Sequence, residues 1–184
     1  MQKNQNKLNI VDTKGNIVGE DTRENIHKQG LLHREIHVWL YTPKKEIIFQ
    51  HRAKNKDTYP DLLDASVGGH VEIGDSYEDA AVKEIEEETG LKVKESDIVY
   101  ITTTKTKTFD EVTGMTNHAL RKVFAYEFDG NVSNLVVEDG KALGFEIWPI
   151  NTLLDMSEDD KVKFIPSIFD DEILNVFKEI DKLI

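Results

Sequence analysis

The first third of the chain alternates apolar and polar residues in short runs, which is the pattern of half-buried β-strands. Leu8–Val11 and Ile17–Gly19 flank a polar turn, and this arrangement predicts a hairpin over residues 8–19. Glu35–Tyr41 and Glu46–Gln50 are rich in β-branched and aromatic residues and flank a Pro-Lys-Lys turn. The chain is therefore expected to begin with two antiparallel strand pairs.

The clearest helix of the sequence spans Ser76 to Thr89. Ser76 is a favourable N-cap, and Asp79 stands three residues later in the capping-box position. Gly90 follows the segment and provides a C-cap. A helix with defined ends is therefore predicted here.

The remaining segments complete a mixed α/β pattern. Apolar residues recur at helical spacing near the end of the chain, which predicts a C-terminal helix over about residues 167–183 that packs on the core. The other predicted elements are a helix over residues 22–29 and strands over residues 65–71, 98–107, 119–128 and 145–149. Together they predict one domain over residues 1–184, with a sheet between helices.

Composition narrows the class of protein. With 184 residues, of which 39% are hydrophobic and 32% charged, the chain has a globular balance. A net charge of −12 opposes binding to nucleic-acid phosphates, so a nucleic acid polymer is not an expected partner. No apolar run approaches the roughly 20 residues of a membrane span. The absence of cysteine excludes zinc–thiolate sites and agrees with a cytoplasmic location.

The helix over residues 76–89 places acidic residues beside its apolar side. At about 100° per residue, Glu84 and Glu88 point almost the same way as Tyr77, which belongs to the apolar face with Ile85. Glu87 lies next to them. Like charges four residues apart destabilise a helix, and partial burial raises the pKa of a carboxyl group. Three inward carboxylates therefore need a compensating partner.

A divalent cation is the partner that these carboxylates suit. Hard oxygen ligands favour Mg²⁺ or Mn²⁺, and Mg²⁺ completes its shell with water and phosphate oxygens. Asp79 and Glu86 fall on the opposite side of the helix, where they are expected to be ordinary solvated charges. The pattern thus predicts a magnesium or manganese site at Glu84, Glu87 and Glu88.

The segment over residues 69–91 resembles the Nudix box, in which a glycine, an acidic residue and an Arg-Glu-x-x-Glu-Glu-x-Gly stretch form a loop–helix–loop metal site. Gly69, Glu84, Glu87, Glu88 and Gly90 are in register with that pattern. The resemblance implies a Nudix-type α/β/α sandwich with a central mixed β-sheet. It also implies hydrolysis of a nucleoside or other organic diphosphate by an activated water.

The resemblance implies a role for each matching residue. Glu84 and Glu88 would be metal ligands, Glu87 a ligand or the general base, and the backbone carbonyl near Gly69 a further ligand. Glu87 and Glu88 are therefore the catalytic candidates.

Two positions depart from the strict Nudix pattern. Asp75 stands in place of the first glutamate, and Lys83 in place of the arginine. Asp75 keeps the charge with a shorter reach. Lys83 lacks the planar fork of arginine, so the carboxylates are expected to be oriented less firmly.

The runs over residues 11–16, 30–40 and 50–60 look like the isopentenyl-diphosphate-isomerase-like branch of the Nudix superfamily. His27, His33 and His70 stand where metal ligands of the isomerase are expected. His27 and His33 are candidates for a secondary metal, but an inherited framework role or ordinary hydrogen bonding is the favoured interpretation for both. His70 is also a candidate for contact with the substrate.

Basic residues after the second hairpin are candidates for binding an anionic substrate. In the resembling branch, the residues that match Arg52 and Lys56 contact the diphosphate. Arginine binds phosphate through two parallel hydrogen bonds, whereas lysine acts as a point charge. Lys54 is expected to be solvated. Alternation along a later strand lets only one of Arg121 and Lys122 face inward.

The function predicted from these residues is metal-dependent hydrolysis of a small-molecule diphosphate. An isomerase is the first alternative, but it needs a cysteine where this chain has Gly68. A module that binds a nucleotide or diphosphate without cleaving it is the second. The resemblance also makes a homodimer a possible assembly.

Overall fold

The computed structural model describes residues 7–137 and 140–184, which form a nine-stranded sheet with helices on both faces. The strands are β1 (Lys7–Val11), β2 (Ile17–Thr22), β3 (His33–Thr42), β4 (Glu46–Arg52), β5 (Leu63–Asp64), β6 (Val67–His70), β7 (Ile98–Asp110), β8 (Met115–Glu127) and β9 (Ala142–Pro149). The α-helices are α1 (Arg23–Gln29), α2 (Tyr77–Thr89), α3 (Ile150–Leu154), α4 (Glu158–Lys161) and α5 (Asp171–Asp181). Single 3-10 turns lie at Glu95–Asp97, Val132–Asn134 and Pro166–Phe169.

Strand β3 is the centre of the sheet. It pairs in parallel with β8 along one side, and antiparallel with β6 and then β4 along the other, so the sheet is mixed. The residues Glu35–Val38 of β3 pair with β6, whereas Leu40–Thr42 pair with β4. Strands β4 and β6 therefore leave the same side of β3 at successive positions and diverge.

Ser66 stabilises the point where these two strands diverge. Its hydroxyl accepts a hydrogen bond from the backbone N–H of Leu40 and donates one to the carbonyl of Ile48. This side chain takes the place of a ladder partner just before β6. The strand predicted over residues 65–71 is consequently paired only over Val67–His70.

Two hydrophobic cores lie on opposite faces of the sheet. One core lies against α3 and α5 and includes Trp39, Phe49 and Phe177. The other lies against α2 and includes Val38 and Ile85. Val38 and Trp39 are neighbours in β3 and point to opposite cores, as the pleat of a strand requires. The predicted α/β/α sandwich with a central mixed β-sheet is confirmed.

The predicted C-terminal helix is interrupted. Residues Pro166–Phe169 form a 3-10 turn, and Asp170 has an extended backbone (ψ 142°) before α5 begins at Asp171. A residue in that conformation cannot continue a helix, because its carbonyl points away from the helix axis. In the described part of the chain, no helix is long and apolar enough to cross a membrane. The single domain over residues 1–184 stays a prediction, and residues 1–6 and 138–139 of it lie outside the described residues.

Candidate active site

A cleft of about 1020 Å³ lies beside the diverging strands β4 and β6, and helix α2 contributes to its wall. The volume is sufficient for a small organic ligand. Seven of the nine predicted site residues line this cleft: Arg52, Lys56, Gly69, His70, Glu84, Glu87 and Glu88. The topology thus brings the acidic helix and the basic loop to one place.

Glu88 is the most buried of the three α2 carboxylates, with 6% of its surface exposed. It accepts a hydrogen bond of 3.2 Å from the side-chain amide of Gln50 and a longer one of 3.4 Å from the backbone N–H of Gly68. The Nζ atom of Lys141 lies 3.8 Å from its other oxygen. Strands β4 and β6 therefore orient this carboxylate from both sides of the gap between them.

Glu84 lies one helical turn before Glu88 and is half-buried. Burial, together with the negative charges of Glu88 and Glu87, raises the pKa of Glu84 from 4.5 to about 7. The carboxyl group lies so close to Gly69 that a Cβ at that position would overlap it. Glycine at position 69 thus lets the acidic helix approach the backbone of β6 directly.

Glu87 occupies the exposed rim of the cleft rather than its inner wall. Its side chain is exposed to solvent, whereas Glu84 is half-buried and Glu88 is buried. Asp79 and Glu86 are exposed as predicted, and Asp79 completes a capping box with Ser76 at the start of α2. The three cleft carboxylates therefore differ in exposure, from Glu88, which is buried, through Glu84, which is half-buried, to Glu87, which is exposed.

Lys83 does not contact the α2 carboxylates in the way that an orienting arginine would. Its Nζ atom donates to Glu72 at 2.7 Å, and this hydrogen bond raises the pKa of Lys83. The nearby loop is held by Arg34, which donates to the backbone carbonyls of Glu72 and Asp75. Of the two departures from the Nudix pattern, Asp75 therefore lies in this loop, and Lys83 of α2 binds the loop through Glu72.

Three histidine rings and one carboxylate converge next to the acidic site. One ligand atom from each of His27, His33, His70 and Glu35 lies within 4.8 Å of all the others. The His70 and His27 Nε2 atoms are 3.3 Å apart, and the ring of His70 stacks on His33 with centroids 5.1 Å apart. His33 and Glu35 are buried. This histidine cluster has the donor set of a transition-metal site.

Hydrogen bonds to the backbone fix two of these rings in a metal-binding form. Nδ1 of His27 lies 2.7 Å from the Arg23 carbonyl, and Nδ1 of His33 lies 3.0 Å from the Leu31 carbonyl. A carbonyl can only accept, so both Nδ1 atoms carry the proton and both Nε2 atoms present a lone pair. Burial lowers the pKa of His70 to about 3 and also lowers that of His27, which favours the neutral form of these two rings. Neutral rings anchored through the second nitrogen are typical of metal-bound histidine.

Glu35 connects the histidine cluster to β8. Arg121 donates to its carboxylate from Nη2 at 2.8 Å and from Nε at 3.3 Å, and Asn117 donates from its amide at 2.9 Å. Burial opposes the negative charge of Glu35, but the Arg121 guanidinium outweighs it and holds the pKa of Glu35 well below its usual value. Arg121 is thus the residue of its pair that faces inward, whereas Lys122 contacts Glu78 on the other side.

The predicted phosphate ligand Arg52 is already engaged by its own loop. Its Nε and Nη2 atoms donate to the carbonyls of Tyr59 and Thr58, and Nη1 donates to Asp64 at 2.7 Å. Two of its five N–H groups remain for a ligand. Lys56 also lines the cleft, while Lys54 is exposed as predicted. Arg52 therefore shapes the loop as well as the cleft.

Several cleft residues were not identified from the sequence. Glu35, Gln50 and Lys141 lie far from the Nudix-like segment in the chain, and their partners are set by strand pairing that local patterns do not reveal. Glu35 carried a signal, because it alternates with His33 and His37 along β3 and so lies on the same face of the strand.

Comparison with known families identifies the class of protein. Residues 31–168 match the NUDIX domain, so the chain belongs to the NUDIX domain family. An uncharacterised Nudix hydrolase of Clostridium acetobutylicum is 35% identical over 97 residues, which cover 51% of this chain and 47% of the relative. One from Streptomyces coelicolor is 40% identical over 83 residues, covering 45% and 46%. The chain matches about half the length of these curated relatives.

Solved structures agree on the fold. A crystal structure of a Deinococcus radiodurans protein aligns with a TM-score of 0.66 at 18% identity, covering 94% of this chain and 98% of that one. The NUDIX domain of Shewanella oneidensis NrtR, complexed with ADP ribose, aligns with a TM-score of 0.55 at 13% identity, covering 81% and 86%. At such low identity these likenesses establish the fold alone.

Proposed function

We propose that this chain is a metal-dependent hydrolase that cleaves the diphosphate linkage of a small organic molecule. The observation that supports it best is the convergence of Glu84, Glu87 and Glu88 on one side of a cleft that basic residues also line. Three neighbouring carboxylates, of which Glu84 has its pKa raised to about 7, are unfavourable by themselves. A bound divalent cation converts that repulsion into attraction.

The donor set fits Mg²⁺ or Mn²⁺. The carboxylates of Glu84, Glu87 and Glu88 are hard oxygen donors, and the Gly69 backbone lies against Glu84. When bound, the cation neutralises the diphosphate and lowers the pKa of a coordinated water. Hydrolysis itself requires that a water form a new P–O bond while the phosphoanhydride P–O bond breaks, and that a base take the proton of that water.

Residues of the chain orient the ligand set, accept the proton and bind the phosphate groups. Glu88, held by Gln50 and Gly68, keeps a fixed orientation as a ligand. Glu87 lies on the exposed rim, where it can pass the proton of the water to solvent as general base. Arg52 and Lys56 bind the phosphate oxygens, using the N–H groups that their own loop leaves free.

Phosphate release from diphosphate compounds with Mg²⁺ or Mn²⁺ tests the proposal. Glu88→Gln should reduce turnover by at least a hundredfold without unfolding the protein. Glu86→Gln is the matched control, because Glu86 is an exposed glutamate of the same helix that does not line the cleft. Equal loss in both variants, or full activity in Glu88→Gln, would show that the assignment is wrong.

Two alternatives predict different outcomes of the same assay. An enzyme of the isomerase type would convert isopentenyl diphosphate to its allylic isomer without releasing phosphate. The present chain has no acid–base group at Gly68, where a Cβ would lie 3.2 Å from the ring of His37. A binding module would be stabilised thermally by a diphosphate and metal but would release no phosphate.

We also propose that His27, His33 and His70, with Glu35, form a secondary site for a transition metal. The convergent lone pairs and the two backbone-anchored rings support this assignment. Calorimetry with Zn²⁺ or Co²⁺ should give one site that His33→Ala abolishes. His118→Ala is the control, since His118 contacts the Gly30 carbonyl outside the cluster. Unchanged metal uptake in His33→Ala would contradict the site.

Membership of the isopentenyl-diphosphate-isomerase-like branch remains a proposal that rests on the sequence runs and on the position of these histidines. The cytoplasmic location and the homodimer likewise stay predictions. Gel filtration with light scattering would determine the assembly.

A further inference from the structure

Lys141 brings a positive charge to the carboxylates that are proposed to bind the divalent cation. Its Nζ atom lies 3.8 Å from Oε1 of Glu88, and its side chain lines the cleft. The pKa of Glu84 is raised by burial and by the charges of Glu88 and Glu87, and the positive charge of Lys141 opposes that rise. The ammonium group therefore acts on two carboxylates of helix α2.

The backbone of Lys141 is joined to the loop of basic residues. Its carbonyl accepts a hydrogen bond of 3.1 Å from the N–H of Ala53, which is buried. The next residue, Ala142, pairs with Arg52 where β9 begins. The main chain is thus fixed beside the loop that carries Arg52 and Lys56, while the side chain reaches α2. Lys141 connects the proposed phosphate ligands to the proposed metal ligands.

The contact between Lys141 and Glu88 is of a kind that a ligand can displace. At 3.8 Å the two atoms attract each other by charge, but they are too far apart for a hydrogen bond. By contrast, Lys83 of the same cleft donates to Glu72 at 2.7 Å. The Lys141 side chain is also 39% exposed, and a lysine ammonium is a compact charge on a flexible stem. Its Nζ atom can therefore leave Glu88 while the backbone stays in place.

A divalent cation on the same carboxylate would drive this movement. Two positive charges a few ångströms apart repel each other even at the effective dielectric constant of a protein surface. A diphosphate beside the cation offers oxygens that accept charge-assisted hydrogen bonds from an ammonium group. Because the backbone of Lys141 lies beside Arg52, such oxygens would be presented close to where the side chain starts.

We propose that Lys141 is a built-in competitor of the divalent cation, which neutralises Glu88 in the metal-free protein and moves to the diphosphate when cation and substrate bind together. This role rests on the proposed function. Lys141 then weakens binding of the cation alone and strengthens binding of the diphosphate beside the cation. The cation and the substrate are thereby coupled, so that each is held most tightly in the presence of the other.

Calorimetry with Mg²⁺ alone tests the first half of this role. Lys141→Met removes the charge and keeps the length of the side chain, so Mg²⁺ should bind about fivefold more tightly because a repulsive charge is gone. Lys141→Arg keeps the charge and should bind Mg²⁺ as the wild type does. Lys92→Met is the matched control, since Lys92 lies at the same 3.8 Å from Glu86, an exposed glutamate of α2, and should change nothing. Unchanged or weaker binding in Lys141→Met would overturn the competition.

Titration with methylenediphosphonate, a diphosphate analogue that cannot be hydrolysed, tests the second half. In saturating Mg²⁺, Lys141→Met should bind this compound about tenfold more weakly than the wild type, through loss of a charge-assisted hydrogen bond. The sign of the effect thus reverses between the two titrations, which a purely structural role of Lys141 would not produce. Equal or tighter binding of the analogue overturns the movement to the diphosphate.

The two titrations also separate this role from the proposed function. If neither the wild type nor any variant takes up Mg²⁺, with or without methylenediphosphonate, the proposed function is overturned and the role of Lys141 with it. If the wild type takes up Mg²⁺ and Lys141→Met shows either effect with the wrong sign, only the role of Lys141 is overturned.

Discussion

Glu84→Gln should make the metal-free protein more stable at neutral and alkaline pH, and the effect should vanish in acid. The usual pKa of a glutamic acid is 4.5, and that of Glu84 in the folded protein is about 7 because of burial and the neighbouring carboxylates. Between these two values the folded state binds a proton that the unfolded state has lost. Stability therefore falls as the pH rises through this range and stays reduced above it.

The size of the effect follows from the same two values. Each pH unit of difference corresponds to about 1.4 kcal/mol. Ionisation of Glu84 thus costs the folded state about 3 kcal/mol above pH 7, and glutamine removes that cost. At pH 5 the wild type keeps most of the proton, so the difference should shrink below about 1 kcal/mol.

Urea unfolding in EDTA at pH 5 and pH 8 measures this difference. With a typical slope of 1–3 kcal/mol per M, the midpoint of Glu84→Gln should exceed that of the wild type by roughly 1–3 M at pH 8. Glu86→Gln, on the exposed side of the helix, should show no pH-dependent difference. Adding Mg²⁺ at pH 8 should stabilise the wild type more than the variant. A variant that is equally or less stable than wild type at pH 8 would refute the electrostatic argument.

Three further predictions concern the surroundings of the site. Glu35→Gln should destabilise the protein by about 3 kcal/mol in urea, since it leaves a buried guanidinium without a charged partner, and a loss under 1 kcal/mol would contradict this. Gly69→Ala should weaken Mg²⁺ binding at least tenfold by calorimetry, because its Cβ displaces Glu84, whereas Gly19→Ala, with no contact nearer than 3.7 Å, should not. Ser76→Ala should lower stability by about 1 kcal/mol through loss of the N-cap, as a shift of the urea midpoint with unchanged slope would show.

The sequence was sufficient for those features that depend on neighbours along the chain. The boundaries of α2, its capping box and the inward direction of Glu84 and Glu88 all follow from residues within one or two helical turns. The N-terminal hairpin and the longer strands were predictable for the same reason, whereas the short elements β5, α3 and α4 were not predicted. Local chemistry specified these elements, and tertiary packing did not override it.

Features that depend on strand pairing could not be predicted from the sequence. The approach of Gln50 to Glu88 and of Arg121 to Glu35 joins residues 38 and 86 positions apart. Nothing in either local segment indicates the other. The interruption of the C-terminal helix at Asp170 was missed because its apolar spacing continues across the break. Glu87 was predicted beside the other carboxylates, but its distance from β6 depends on how the helix docks.

Residues 69 and 70 of β6 occupy an unusual place. Gly69 lies against the acidic helix and His70 belongs to the histidine cluster, and both are paired to adjacent residues of β3. Consecutive Cα atoms are separated by about 3.8 Å, so a single peptide unit links the two proposed ion sites. Binding of an ion at one site should therefore change the ion affinity of the other site through this shared backbone. A substitution at Gly69 or His70 that is intended to change one site should therefore be expected to change the other.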